Sequence, residues 1–147
     1  MSFQRILVPT DGSDYTKAAV DKAVELAKII GGSITALYVI DKSAFSNLPA
    51  DAAISNVYNS LEREGESAVG YVKLKCGEEG VSVDIKFREG SPVNEILAES
   101  AEGYDLVVMG TLGRTGMSKL LMGSVAERVV RASTCPIMVV RSKEAKQ

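Results

Sequence analysis

The sequence has no histidine and no tryptophan, and only two cysteines, Cys76 and Cys135. Without an imidazole there is no Ser–His or Cys–His pair and no histidine base, so an enzyme in the strong sense is hard to build. The cysteines lie far apart, form no CxxC pair and have no imidazole beside them, which excludes a zinc centre made from soft ligands. A disulfide has no support, and the expectation is two buried thiols in a reducing cytosol. A surplus of charge is also missing: 17 Lys and Arg face 19 Asp and Glu, a formal net charge of −2. That balance offers no basic footprint to nucleic acid or to an anionic membrane. No apolar run approaches the ~20 residues of a membrane span. The short run Ile6-Leu7-Val8 is stopped by Pro9, too early for a signal-peptide core. The cytoplasm is the expected compartment. What is present is an ordinary globular composition over 147 residues, 46% hydrophobic and 24% charged. Residues 1–147 are expected to form one domain whose single core needs no staples.

Apolar patterning gives the order of elements. Ile6-Leu7-Val8 and Leu106-Val107-Val108-Met109 are unbroken apolar runs, as in strands covered on both faces. Between Pro9-Thr10-Asp11-Gly12-Ser13 and Gly31-Gly32, the residues Val20, Ala23, Val24, Ala27 and Ile30 make one helical stripe. A second strand, rich in β-branched residues, covers Ile34 to Ile40. From Asp41 to about Ser55 no period is sustained, and a helix is expected from about Val57 to Cys76, weakened by Gly65 and Gly70. Val81, Val83, Ile85 and Phe87 alternate with polar residues, which predicts a half-exposed edge strand. Ser91-Pro92 opens a further helix, Val125, Val129 and Val130 mark a last one, and Pro136 to Val140 is the final strand.

The resulting order βαβαβαβαβ predicts an α/β fold: a doubly wound five-stranded parallel sheet, order 3-2-1-4-5, with helices on both faces. Ligands of such sheets bind at the carboxyl ends of the strands where the winding reverses, here between strands one and four. The loop after strand four carries Gly110, Gly113 and Gly123 at the spacing G-x2-G-x9-G, with Ser124 behind them. Backbone N–H groups can converge on a phosphate only where no Cβ stands in the way, and Ser124 adds a hydroxyl and a helix N-terminus. The plainer reading makes these glycines turn punctuation and Ser124 a helix cap. The loop after strand one supplies Asp11, which is a hydroxyl acceptor, a magnesium ligand or the N-cap of the first helix. Lys17, Arg114 and Lys119 are cations available to phosphate, although surface solvation is the commoner fate of such residues.

These residues resemble the ATP-binding branch of the universal stress protein family. The resemblance rests on Ile6 to Ser13, on Val39-Ile40-Asp41, on the glycine pattern closed by Ser124, and on Cys135 to Val140. It covers nearly the whole chain. Position by position, it implies that Pro9, Thr10 and Asp11 border an adenosine, with Asp11 on the ribose and Val39 holding adenine through its backbone. Met109, Gly110 and Gly113 would approach ribose and phosphate, Arg114, Thr115 and Gly116 would continue the phosphate loop, and Gly123, Ser124 and Val125 would complete it. The implied ligand is ATP or AMP, with Mg2+ or Mn2+ shared between the phosphates and Asp11. Leu112 stands where the family often has histidine, while the glycine frame is intact. The expected role is a nucleotide-dependent stress-response switch with at most slow hydrolysis, in which residues 42–55 fold over the ligand. The apolar edge Ile137, Met138, Val139 and Val140 predicts a homodimer.

Other readings of the fold fail on particular residues. A response-regulator receiver needs an acidic pair after strand one and an aspartate after strand three, and Phe87-Arg88-Glu89-Gly90 has none. A P-loop needs G-x4-G-K-[S/T] after strand one, which Thr10-Asp11-Gly12-Ser13 does not supply. The remaining alternative is a dimeric interaction module of the same fold with an empty pocket.

Overall fold

Five parallel strands form one sheet, with β1 (Arg5–Pro9) at its centre. The computed structural model describes residues 4–41, 43, 52–111 and 122–142. The chain continues through α1 (Asp14–Ile30), β2 (Ser33–Asp41), α2 (Ala52–Glu79), β3 (Ser82–Gly90) and α3 (Pro92–Ser100). It closes with β4 (Leu106–Gly110), α4 (Ser124–Ala132) and β5 (Ile137–Val140). The spatial order is β3-β2-β1-β4-β5, the doubly wound arrangement expected from the alternation of elements.

The two unbroken apolar runs are the central strand β1 and its neighbour β4, and every residue of β4 is buried. Side chains alternate across a strand, so β1 feeds two cores at once. Ile6 and Val8 face α1 and α2, packing with Val20, Val24, Val72 and Cys76. Leu7 faces α3 and α4, packing with Leu37, Val93, Ile96, Val107 and Val129. β3, whose apolar residues alternate with polar ones, is an edge strand as expected, paired to β2 from Ser33–Ser82 to Asp41–Gly90. β5 is the other edge, with β4 as its neighbour.

Local signals fix the helix ends. Ser13 caps α1 by accepting from the Thr16 N–H at 3.3 Å, and Gly31 ends it in the left-handed region at φ 70°. α2 differs from expectation, starting at Ala52 rather than Val57 and running for 28 residues to Glu79. Its first residues, Ala52-Ala53-Ile54-Ser55-Asn56, carry no amphipathic period, so a search for an apolar stripe passes over them. The cysteines are free; Cys76 is buried as expected, but Cys135 is only half-buried. Burial pushes the Cys76 thiol up to about 11. Among the described residues no helix is long and apolar enough to cross a membrane.

Candidate functional site

β1 and β4 pair only at Ile6–Leu106 and Leu7–Val107, and beyond that register their carboxyl ends part. The gap opens into a cavity of about 360 Å³ at the winding reversal, within the range of small-molecule sites. Its floor is the strand ends: Pro9 of β1 with Thr10 behind it, Leu37 to Val39 of β2, and Met109 and Gly110 of β4 with Thr111 behind them. The start of α3 (Pro92, Ile96) and Leu61 of α2 wall it with apolar surface, and the first turn of α4 closes one end.

The loop after β1 is fixed by hydrogen bonds around Asp11. Asp11 Oδ1 accepts from the Ser13 N–H at 2.9 Å and from the Thr16 hydroxyl at 3.2 Å. This is an Asx turn, and it removes one of the three readings of Asp11: the N-cap of α1 is Ser13. Asp11 lines the cavity, as does Asp41, whose Oδ1 accepts from the Ser43 N–H at 2.9 Å. Gly12 at φ 82° lets the loop turn, and a Cβ there would meet Ala68 of α2 at 3.2 Å.

Val39 reaches the cavity because β2 outruns β1. The ladder between them ends at Pro9–Leu37, where the Thr10 N–H donates to Leu37 O at 2.9 Å. Backbone groups two residues apart on a strand point the same way. The Val39 N–H and C=O therefore project past the end of β1 into the gap, a donor and an acceptor side by side.

The first turn of α4 brings backbone donors to the opposite end. Gly123 is the N-cap, with an extended backbone at φ −76° and ψ 171°, and Ser124 is the first helical residue, not a cap. The Gly123 N–H is already committed to Thr111 O at 2.6 Å, and Gly123 O accepts the first helical bond from the Glu127 N–H. The amides of Ser124, Val125 and Ala126 precede that first bond, so the helix itself gives them no acceptor. All three residues line the cavity, where the positive end of the helix dipole adds to their N–H groups.

Nine sequence-predicted site residues thus share one cavity: Pro9, Thr10, Asp11, Val39, Met109, Gly110, Gly123, Ser124 and Val125. Gly113, Arg114, Thr115 and Gly116, with Lys119 and most of the segment 42–51, lie outside the described residues. Lys17 goes elsewhere: its Nζ is 3.5 Å from Asp14 and sits 5.1 Å over the Tyr71 ring, away from the cavity lining. Sequence reasoning missed Thr16, Asp41 and Thr111. Thr16 lies one helical turn past its own cap Ser13, a position that aims a hydroxyl back at the preceding loop. Leu37, Leu61, Pro92, Ile96 and Ala126 were also missed, because apolar wall residues read as core. Among the described residues no group of three or more His, Cys, Asp or Glu could hold a metal by itself.

The model of the universal stress protein family matches residues 2–141. The universal stress protein MJ0531 of Methanocaldococcus jannaschii is 41% identical over 141 residues, covering 95% of this chain and 82% of its own. The solved structure of MJ0577 from the same organism superimposes with a TM-score of 0.81 at 26% identity, covering 97% of this chain and 99% of its own. Two more remote structures share the fold at 22% and 18% identity, with TM-scores of 0.64 and 0.71. They cover 97% and 96% of this chain and 100% of their own. The first is a complex with cAMP, and the second, from Archaeoglobus fulgidus, a complex with dAMP. With its strand order and the cavity at the winding reversal, the chain belongs to the universal stress protein family.

Proposed function

We propose that this chain binds an adenine nucleotide, ATP or AMP, in the cavity between β1 and β4 and serves as a nucleotide-dependent stress-response switch. The observation that carries the reading is the pairing of two unlike ends in one cavity. One end holds the strand-edge donor and acceptor of Val39, the other the open amides of Ser124 to Ala126, with Asp11 also on the wall. Adenine presents a ring nitrogen that accepts and an amino group that donates, matching the Val39 N–H and C=O. Guanine puts a carbonyl where adenine has its amino group, so two acceptors would meet. The complexes of remote family members with cAMP and dAMP support the same ligand class.

Phosphates would lie at the α4 end, with Gly110, Gly113 and Gly116 leaving room for close approach and Arg114 and Thr115 adding polar contacts. Mg2+ is usually held by one or two carboxylates together with substrate phosphates. Asp11 would take the ribose hydroxyls, and Mg2+ or Mn2+ held by the phosphates would reach its carboxylate only through water. Hydrolysis is at most slow, because phosphoryl transfer needs a positioned nucleophile as well as a charge clamp. β2 ends with Asp41 on the cavity wall, and the segment that follows would carry the signal, in the cytoplasm, to a partner or a second copy.

Mass spectrometry of small molecules released from the purified protein, followed by calorimetry, tests the reading. ATP or AMP should bind in the micromolar range or tighter, GTP more weakly, and Gly113→Val should cost at least about tenfold. Unchanged affinity in that variant would overturn the proposed phosphate loop. No binding of any adenine nucleotide would leave the dimeric interaction module as the function.

A further inference from the structure

Two threonine hydroxyls lie behind the Asp11 carboxylate, and neither faces bulk solvent. Thr10 and Thr16 are each 7% exposed, and their Oγ atoms are 3.1 Å apart. Thr10 Oγ already accepts the Gly12 N–H at 3.1 Å. Thr16 Oγ is within 3.0 Å of Ser13 O and 3.2 Å of Asp11 Oδ1. Each hydroxyl has one proton, and that count sets the direction of the chain. If Thr16 donated to Thr10, the Thr10 proton would have no acceptor among the described residues. With Thr10 donating to Thr16, the Thr16 proton goes to Ser13 O and to the carboxylate, and bonds to an ionised acceptor are the stronger kind. The chain runs Gly12 N–H, Thr10 O–H, Thr16 O–H, Asp11, each bond polarising the next.

We infer that Thr16 is a positioning residue that sets the Asp11 carboxylate for a vicinal diol, so that the cavity takes ribonucleotides in preference to 2′-deoxyribonucleotides. This inference rests on the nucleotide reading of the cavity. A carboxylate accepts both hydroxyls of a ribose only when its plane is fixed, because two short bonds to one diol tolerate little rotation. The Ser13 N–H and the Thr16 hydroxyl both hold Oδ1, and two donors on one oxygen fix that plane. Apolar substitution at Thr16 removes one of them while keeping the side chain's size. The selection is one of degree, since a deoxyribose still fits the space.

Calorimetry on the full chain with ATP and 2′-deoxyATP tests it, using Thr16→Val and Thr16→Ser. The wild type should prefer ATP by about tenfold, the size of a hydrogen bond to a charged group. Thr16→Val should bring the two affinities within about twofold of each other, and Thr16→Ser should restore the preference. A merely structural role would weaken both nucleotides equally and leave the ratio unmoved, which would overturn the inference. Should Thr16→Val fail to fold, a Thr16→Ser variant that folds but has lost the preference would overturn it as well. A wild type that binds ATP and 2′-deoxyATP alike overturns the inference while sparing the nucleotide reading. A wild type that binds neither overturns that reading itself.

Discussion

Gly65 of α2 lies against the ring of Tyr38: a Cβ built on Gly65 would stand 2.6 Å from Tyr38 Cδ2. The Phe87 ring is equally close to the same point, and the two rings pack at 5.8 Å between centroids with a 54° tilt. The helix can approach β2 and β3 this closely only where it has no side chain. Tyr38 and, one turn before Gly65, Leu61 both line the cavity, so the approach of α2 sets the position of the cavity wall.

Gly65→Ala should therefore destabilise the fold by about 1–3 kcal/mol, the usual cost of overpacking. Tyr38 is only 2% exposed, so its ring has no open space into which to retreat. Gly70, in the same helix, has nothing within 4 Å of an added Cβ. Gly70→Ala should be neutral or stabilising by up to about 1 kcal/mol, through the lost backbone entropy of glycine alone. Urea denaturation of the two variants checks the contrast, and equal effects would refute it.

These two glycines show where sequence reading stops. Both look like breaks in a helix, and nothing local tells a glycine under an aromatic pair from one at the surface. Strand order was legible because it depends on patterns within each element: continuous apolar runs in β1 and β4, alternation in β3, a stripe and a terminal Gly31 in α1. The polar part of the site was legible for the same reason, since Asp11 and the glycines sit in loops at a place the topology singles out. The apolar wall was not, because Leu37 and Ile96 have the composition of core and only the parting of two strands turns them into lining. Glu99 is a further case. As one acidic residue in an amphipathic helix it reads as surface, yet it is 1% exposed because its partners come from β3 and from beyond its own helix.

That buried carboxylate makes stability depend on pH. Glu99 accepts from the Tyr104 hydroxyl at 2.7 Å and from Arg88 Nε at 2.9 Å, with Lys86 Nζ at 3.6 Å. Burial alone would raise its pKa, but the bonds from Tyr104 and Arg88 and the nearby positive charges outweigh it and hold the carboxyl below the usual 4.5. A group depressed on folding stabilises above its unfolded pKa, and that stability is lost as pH falls through the folded value. The urea midpoint should hold from neutrality to about pH 5 and then drop. Glu99→Gln should be less stable at neutral pH by about 1–3 kcal/mol, with the gap to wild type closing in acid. A gap that stays constant down to about pH 3 would remove Glu99 as the source.

The remaining prediction concerns the sheet edges. β5 has β4 on one side, and its residues Ile137, Val139 and Val140 are half-buried while Met138 is 39% exposed. An edge with apolar side chains and open backbone groups is a template for another strand. Pairing with the β5 of a second copy about a two-fold axis would satisfy those groups and cover the apolar row. β3 is also an edge, but Asp84, Lys86, Arg88 and Glu89 place charges along it, the usual guard against pairing. The expected species is a homodimer through β5. Sedimentation of the wild type at tens of micromolar, roughly the range of weak dimers, should show it. Val139→Lys and the more exposed Met138→Lys should both shift it to monomer, and Asp84→Asn on β3 should change nothing. Measuring thermal midpoints alongside separates a lost interface from a lost fold. A wild type that sediments as a monomer, or a dimer indifferent to both lysines, would place the contact elsewhere or remove it.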